Sequence, residues 1–141
     1  MIPVQALRWH GSQLELIDQR LLPHKWSTIH CLSAADVAAA IRDMVIRGAP
    51  AIGCAAAYGI ALEAHRHASV AREVFSKALD SAFVELQESR PTAVNLAWAL
   101  QRMSEVLAKA SGQDLPITVR LLEAAATEIY SADLSANLAM G

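Results

Sequence analysis

The stretch Arg47-Gly48-Ala49-Pro50-Ala51-Ile52-Gly53 decides how this chain folds, because it ends one predicted helix and begins another. Gly48 permits a positive φ, and proline suits the first turn of a helix, where its missing N–H is not needed. Residues 51–64 are almost all small or apolar, which is typical of a helix that is buried on every side. The stretch therefore predicts a turn that leads into a central helix.

The same stretch is a candidate phosphate site. A helix start presents unpaired backbone N–H groups and the positive end of the helix dipole. If Arg47 points over the turn, its guanidinium joins the amides of Gly48, Ala49, Ala51 and Ile52 around one anion. The alternative is that Arg47 sits in the last turn of the preceding helix and only complements its C-terminal dipole.

A second arginine, in Arg90-Pro91-Thr92, repeats this order of arginine, proline and helix start. Proline disfavours helix in the residue before it, so Arg90 should be extended, and Ser89 or Thr92 would cap the helix that follows. Arginine offers paired donors that suit phosphate. Asn95, early in that helix, either faces the same cleft or is an exposed helical residue.

The other patterns predict a small sheet and more helices. Residues 4–9 and 13–18 alternate around a turn signal and favour a hairpin, and residues 25–31 favour a third strand. Ser33, with Asp36 as an acidic partner, is typical of the N-cap of a helix that stops at Gly48. Further helices are predicted over residues 69–88 and 93–110, and from Asp114 onward. The resulting class is α+β, with an antiparallel β segment of about three strands in residues 1–32 and a bundle of about five helices in residues 33–141.

Composition limits the functional classes. The chain has 141 residues, 54% of them hydrophobic and 18% charged, which favours one folded domain. Its net charge of -2 gives no electrostatic reason to bind nucleic acid. Glu63 and His65 interrupt the apolar stretch after Pro50, and Met1-Ile2-Pro3 lacks the pattern of a signal peptide. We therefore expect a cytoplasmic protein with no membrane or nucleic-acid partner.

The chain offers few reactive groups. Cys31 and Cys54 match no disulfide framework or zinc pattern and are expected to be small buried residues. His65 and His67 lack a third ligand at suitable spacing, so no metal is expected. No nucleotide-binding glycine loop or nucleophile motif is present, and no cofactor is implied. Two acids, Asp18 and Asp43, stand alone in the sequence.

Several motifs in order resemble the start of the methylthioribose-1-phosphate isomerases. They are Leu7-Arg8-Trp9, residues 14–23, residues 40–53, Ala56-Ala57-Tyr58-Gly59 and Arg90-Pro91-Thr92-Ala93-Val94-Asn95-Leu96, followed by Asp133 and Asn137 before Ala139-Met140-Gly141. The resemblance covers essentially the whole chain. The alpha-, beta- and delta-type regulatory subunits of translation initiation factor 2B share this architecture.

The resemblance implies an enzyme of methionine salvage that converts 5-methylthioribose 1-phosphate to 5-methylthioribulose 1-phosphate. Carried over by motif, the substrate-binding residues are Arg47, Gly48, Ala49 and Arg90. The family's catalytic cysteine and aspartate belong to a Rossmann-like C-terminal domain that we expect to be absent from this chain, and no catalytic residue is assigned here. The resemblance thus implies an inactive isolated chain and, for the full-length protein, a homodimer that binds a small sugar phosphate.

Three alternatives remain open at this point. The chain could be a regulatory, protein-interaction domain related to the initiation factor 2B subunits. It could belong to a ribose-1,5-bisphosphate isomerase, which shares the RGA-type arginine. It could also be a free-standing helical domain that binds an unrelated anion.

Overall fold

A computed structural model describes residues 7–21, 24–46 and 48–140, and the side chains of those residues as far as residue 132. The chain begins with a three-stranded antiparallel sheet in the order β1-β2-β3, formed by β1 (Leu7–Trp9), β2 (Leu14–Ile17) and β3 (Thr28–Cys31). The predicted hairpin and third strand are confirmed, although residues 4–6 of the hairpin prediction lie outside the described residues. Alternation buries Leu14 and Leu16 on the face toward the helices.

Five α-helices follow, as the class prediction expected. They are α1 (Ala34–Arg42), α2 (Ala49–Arg66), α3 (Arg72–Ser89), α4 (Val94–Lys109) and α5 (Leu115–Met140). Every residue from 52 to 64 in α2 is buried, and α2 contacts each of the other four helices. Leu7, Leu14, Leu16 and Cys31 belong to the same buried cluster as the helical residues, so the sheet packs directly on the bundle.

The helix directions place the starts of α2 and α4 at one end of the bundle. The start of α1 lies at the far end of α2, since the backbone N–H of Ala34 donates to Glu63 Oε1 at 3.0 Å. At that same far end, Arg72 at the start of α3 donates to the carbonyl of Gln113, just before α5. The connection between α3 and α4 therefore returns the chain to the end where α2 begins.

The first helix ends earlier than the sequence pattern indicates. We expected it to run to Gly48, but α1 ends at Arg42 with Asp43 as its C-cap. Met44 then adopts the left-handed conformation, with a φ of 63°. The N–H of Met44 donates to Ile41 O and that of Val45 to Ala40 O, which is the Schellman arrangement of hydrogen bonds. The apolar spacing continued past the helix because Val45 and Ile46 are buried without being helical.

Replacing Met44 with glycine should raise the free energy of unfolding by about 1 kcal/mol, because a side chain in the left-handed region costs roughly that amount. Met44 is 44% exposed, so little buried contact would be lost. Urea denaturation provides the measurement. The control is Arg42→Gly, which puts glycine in the last helical turn, where it should lower stability. Equal effects of the two substitutions would contradict the assignment of strain to Met44.

Candidate phosphate-binding site

Three of the four predicted substrate-binding residues, Gly48, Ala49 and Arg90, lie next to the starts of α2 and α4. Arg47 lies outside the described residues, so its role stays a prediction. Gly48 is the N-cap of α2, with a φ of 94° that favours glycine, and it is followed by Ala49 in the first helical position. Gly48, Ala49 and Pro50 are exposed, so the backbone of this turn is open to a ligand.

The start of α2 has no side-chain cap. Its first turn contains no acidic residue, and no side chain of the described residues accepts from its first amides. The first helical hydrogen bond runs from Ile52 N–H to Gly48 O, so the amides of Ala49 and Ala51 precede the ladder. The start of α1 differs, because Ser33 Oγ accepts from Asp36 N–H and Glu63 accepts from Ala34 N–H. The N-cap predicted at Ser33 is thereby confirmed.

The start of α4 also has no side-chain cap among the described residues. The caps predicted at Ser89 or Thr92 are therefore wrong. The N-cap is Ala93, which has no side chain able to accept, and the first turn contains no acidic residue. Ser89 does not cap α4, because its hydroxyl donates to the carbonyl of Leu86 within α3. Thr92 is exposed and makes no hydrogen bond with the described residues. A second set of helix-start amides is thus left without an acceptor from the described chain.

The starts of α2 and α4 lie against each other. A Cβ atom built on Gly53 would lie 2.9 Å from the backbone oxygen of Asn95 and 3.5 Å from the Asn95 Cβ. Gly53 is the fifth residue of α2 and Asn95 the second of α4, so their first turns are neighbours. Asn95 is half-buried at this contact, rather than a freely exposed helical residue. The positive ends of two helix dipoles therefore face a shared region.

Arg90 lies four residues before the first residue of α4. It is the C-cap of α3, and its φ of -147° and ψ of 79° are non-helical, as the following Pro91 requires, but the ψ angle falls short of the extended conformation that was predicted. Arg90 is half-buried, and within the described ranges its guanidinium has no hydrogen bond or ion pair. The last turn of α1 ends with the basic residue Arg42.

The sequence analysis missed an ion pair beside this site. Asp18, treated above as a lone acid, is 4% exposed and accepts from the Arg20 backbone N–H, Nε and Nη2 at 3.1, 2.9 and 2.8 Å. These hydrogen bonds lower the pKa of the Asp18 carboxyl, so the pair is charged at neutral pH and is lost as the pH falls through that lowered pKa. The available signal was the motif over residues 14–23, which resembles the start of the methylthioribose-1-phosphate isomerases.

The remaining reactive groups do not form a site. Cys31 and Cys54 are buried, as expected, and burial raises the pKa of Cys31 to about 12. His67 Nδ1 is hydrogen-bonded to the carbonyl of Glu63, while His65 is exposed. Within the described ranges, no group of three or more His, Cys, Asp or Glu side chains could hold a metal ion. None of the helices described there has the length and hydropathy needed to cross a bilayer.

An open groove of about 620 Å³ lies between α3 and α4. Among the described residues, its lining includes the carboxylates of Asp80 and Glu88 and no basic side chain. This acidic groove does not suit a phosphate group, because its carboxylates would repel the anion. The helix starts remain the favourable location for an anion.

A small antiparallel sheet packed on five helices, with two uncapped helix starts in contact, defines an α+β domain with a candidate anion site. Residues 45–141 match the Initiation factor 2 subunit family, and the chain belongs to that family.

Two similar proteins from other organisms carry the same name. The chain is 50% identical over 138 residues to a methylthioribose-1-phosphate isomerase of Albidiferax ferrireducens, covering 98% of this chain and 39% of that protein. It is 50% identical over 137 residues to a protein of the same name from Ectopseudomonas mendocina, covering 97% of this chain and 37% of the relative. The chain therefore spans less than two-fifths of the length of these relatives.

Two solved structures share the fold. The first is 5-methylthioribose 1-phosphate isomerase from Pyrococcus horikoshii, with a TM-score of 0.90, 37% identity, and coverage of 94% of this chain and 37% of that one. The second is the translation initiation factor eIF-2B subunit delta from A. fulgidus, with a TM-score of 0.84, 32% identity, and coverage of 94% and 38%. The resemblance noted in the sequence, to isomerases and to initiation factor 2B subunits alike, is confirmed.

Proposed function

We propose that this chain supplies the phosphate-binding part of an aldose–ketose isomerase that converts 5-methylthioribose 1-phosphate to 5-methylthioribulose 1-phosphate. The observation that carries the proposal is the contact between Gly53 and Asn95, which joins two uncapped helix starts. Arg90 is the C-cap of α3 shortly before α4 begins, and Arg47 directly precedes Gly48, the N-cap of α2, which supports a role for both guanidiniums. The names of the sequence relatives supply the substrate.

The proposed chemistry divides the work between binding and reaction. The substrate carries its phosphate on the anomeric oxygen, so the sugar ring must open before hydrogen moves between carbons 1 and 2. A phosphate held by fixed amides and two guanidiniums would keep carbons 1 and 2 in place while the ring opens. This chain would bind the phosphate. The groups that react with the sugar would come from the remainder of the isomerase, which lies outside the portion of the relatives that this chain covers.

Two consequences belong to the same proposal. The 141 residues carry no match to the motif of the family's catalytic cysteine, so we expect the chain alone to have no isomerase activity. Turnover of 5-methylthioribose 1-phosphate by the chain alone would contradict this. For the full-length protein we propose a cytoplasmic homodimer that acts on a small sugar phosphate and uses no metal or cofactor.

Arg47→Ala and Arg90→Ala should each weaken the binding of 5-methylthioribose 1-phosphate by about 1.5–3 kcal/mol, the contribution of a hydrogen bond to a charged group. Isothermal titration of this chain with the sugar phosphate, and with inorganic phosphate, measures the loss. Arg120→Ala is the control, because Arg120 is exposed in the second turn of α5, at the opposite end of the bundle. It removes the same charge and should leave affinity nearly unchanged. Indifference to both site substitutions would remove the phosphate proposal.

A regulatory domain is the second candidate, favoured by the similarity to eIF-2B subunit delta of A. fulgidus. Such a domain would act through protein contacts and need not bind the isomerase substrate. Saturable binding of 5-methylthioribose 1-phosphate that depends on Arg47 and Arg90 would favour the enzyme.

Parallel titration with ribose 1,5-bisphosphate tests the alternative that the chain belongs to a ribose-1,5-bisphosphate isomerase, since the sugar phosphate that binds more tightly identifies the substrate class.

A further inference from the structure

We infer that Asp18 and Arg20 are positioning residues for the proposed phosphate site, which they reach through the segment 43–46. The inference rests on the proposed function. Neither residue is placed against the phosphate. Instead, their ion pair fixes a turn of the β segment, and that turn holds the chain immediately before Arg47 and Gly48.

The pair forms a closed unit at the end of β2. Both carboxylate oxygens of Asp18 accept from Arg20, one from Nη2 and the other from Nε and the backbone N–H. The Asp18 N–H donates to Ser27 O at 2.8 Å, which ties the unit to the approach of β3. Two parallel guanidinium–carboxylate bonds fix orientation as well as distance. The short 3₁₀ helix Gln19–Leu21 is therefore held rigidly against the sheet.

This unit holds the segment that leads to the site. The backbone N–H of Gln19 donates to the carbonyl of Val45 at 2.8 Å. Among the described residues, it is the one backbone hydrogen bond that joins the β segment to residues 43–46. Val45 and Ile46 are buried, so a shift of Gln19 would move the segment as a packed unit.

A nearby charge and a strained residue lie in the segment that Gln19 contacts. The pKa of Arg20 is raised first by its hydrogen bond to Asp18, and the nearby charge of Asp43, the C-cap of α1, raises it further. Between Asp43 and Val45, Met44 is held in the left-handed region. A strained backbone conformation persists only where its surroundings enforce it. The carbonyl of Val45, the residue after Met44, accepts from the Gln19 N–H and so joins this segment to the turn that the pair fixes.

The Asp18→Asn substitution separates positioning from simple electrostatics by the sign of its effect. Removal of a negative charge near an anion site should by itself strengthen phosphate binding. Loss of positioning should instead weaken the binding of 5-methylthioribose 1-phosphate by about tenfold, within the range of indirect coupling effects. Arg20→Lys keeps the charge but cannot form two parallel bonds, and it should weaken binding in the same direction.

Glu15→Gln is the matched control, because it removes one carboxylate charge from β2, the strand that leads to Asp18, and Glu15 is hydrogen-bonded to His10 rather than to Gln19 or Val45. It should not weaken binding. Hydrogen exchange supplies a readout that is independent of the ligand, since the Gln19 amide should exchange faster in Asp18→Asn and not in Glu15→Gln. Circular dichroism establishes that each variant is folded. If Asp18→Asn does not fold, the binding and exchange measurements are made on Arg20→Lys instead.

The possible outcomes separate the two proposals. Weaker binding together with faster Gln19 exchange supports the positioning role. Unchanged or tighter binding in Asp18→Asn, with wild-type exchange at Gln19, overturns it. If wild type binds no sugar phosphate, the proposed function fails, whereas the structural link from Asp18 to the segment is still judged by exchange at Gln19 and by the amide chemical shift of Gly48.

Discussion

Gly53→Ala is expected to destabilise the fold by about 1–3 kcal/mol, because the added methyl group overpacks a backbone contact. Its Cβ would lie 2.9 Å from the carbonyl oxygen of Asn95, and neither backbone can yield without moving a helix. The gain of about 1 kcal/mol in helix propensity opposes this loss but does not remove the collision. Urea denaturation measures the change in stability.

The same substitution should weaken the binding of 5-methylthioribose 1-phosphate. Separation of α2 from α4 moves their amides apart, and both sets are needed for the proposed grip. We expect an affinity loss of about tenfold or more, since electrostatic and hydrogen-bond contacts to phosphate depend strongly on distance. Titration calorimetry checks this at a temperature where the variant remains folded.

Gly59→Ala is the matched control within the same helix. A Cβ at Gly59 would lie 3.1 Å from a Leu86 methyl carbon and 3.4 Å from the Val37 Cβ, so the closest neighbour is the end of a flexible side chain. We expect a smaller stability change and no change in phosphate affinity. If Gly53→Ala and Gly59→Ala behaved alike, the close approach of α2 to α4 would have no special role.

Glu63→Ala should lower the free energy of unfolding by about 3 kcal/mol, because it leaves a buried helix-start amide without its charged acceptor. Glu63 Oε1 accepts from Ala34 N–H at 3.0 Å and from Arg66 Nη1 at 2.8 Å. Chemical denaturation gives the size of the effect. Phosphate affinity in the folded state should not change, since Glu63 lies at the opposite end of α2 from Gly48.

Two further variants show whether the stability lost in Glu63→Ala comes from the hydrogen bond to Ala34 N–H or from the ion pair with Arg66. Glu63→Gln keeps an oxygen for Ala34 N–H and should lose less than Glu63→Ala. Arg66→Ala removes the ion pair alone, and the Arg66 side chain is 49% exposed, so its effect should stay below about 1 kcal/mol. An Arg66→Ala effect as large as that of Glu63→Ala would show that the ion pair, rather than the cap of α1, provides the stability.

Local patterns predicted much of this fold. The small apolar residues of the central helix required burial on every side, and residues 52–64 are buried throughout. The alternation in residues 13–18 and the Ser33 N-cap also depend on neighbours in sequence, so both could be predicted. For the same reason Pro91 excluded the helical conformation at Arg90, although the observed ψ of 79° falls short of the extended conformation that was predicted.

Contacts between distant residues could not be predicted in this way. Nothing near Glu63 in the sequence indicates that its carboxylate accepts from Ala34, and nothing near Gly53 indicates that it contacts Asn95. The end of α1 was misplaced because buried residues at 45 and 46 continue the apolar pattern after the helix has stopped at Arg42. Burial and helical conformation give the same signal in a sequence.

For the candidate site, the sequence indicated the two arginine-containing junctions, and the structure shows that the helices following them are in contact. The caps expected at Ser89 or Thr92 are wrong. The N-cap of α4 is Ala93, and the Ser89 hydroxyl donates to the carbonyl of Leu86 within α3 instead. Arg47 and the full set of phosphate contacts remain predictions.

The contact between Gly53 and Asn95 also restricts how this protein can diverge. It is made to a main-chain oxygen, which every amino acid possesses, so position 95 can accept many residues without disturbing the helix pair. Position 53 has no such freedom, because every residue other than glycine adds a Cβ at that point. Homologues should therefore vary in the residue at position 95 in α4 and keep glycine at position 53 in α2.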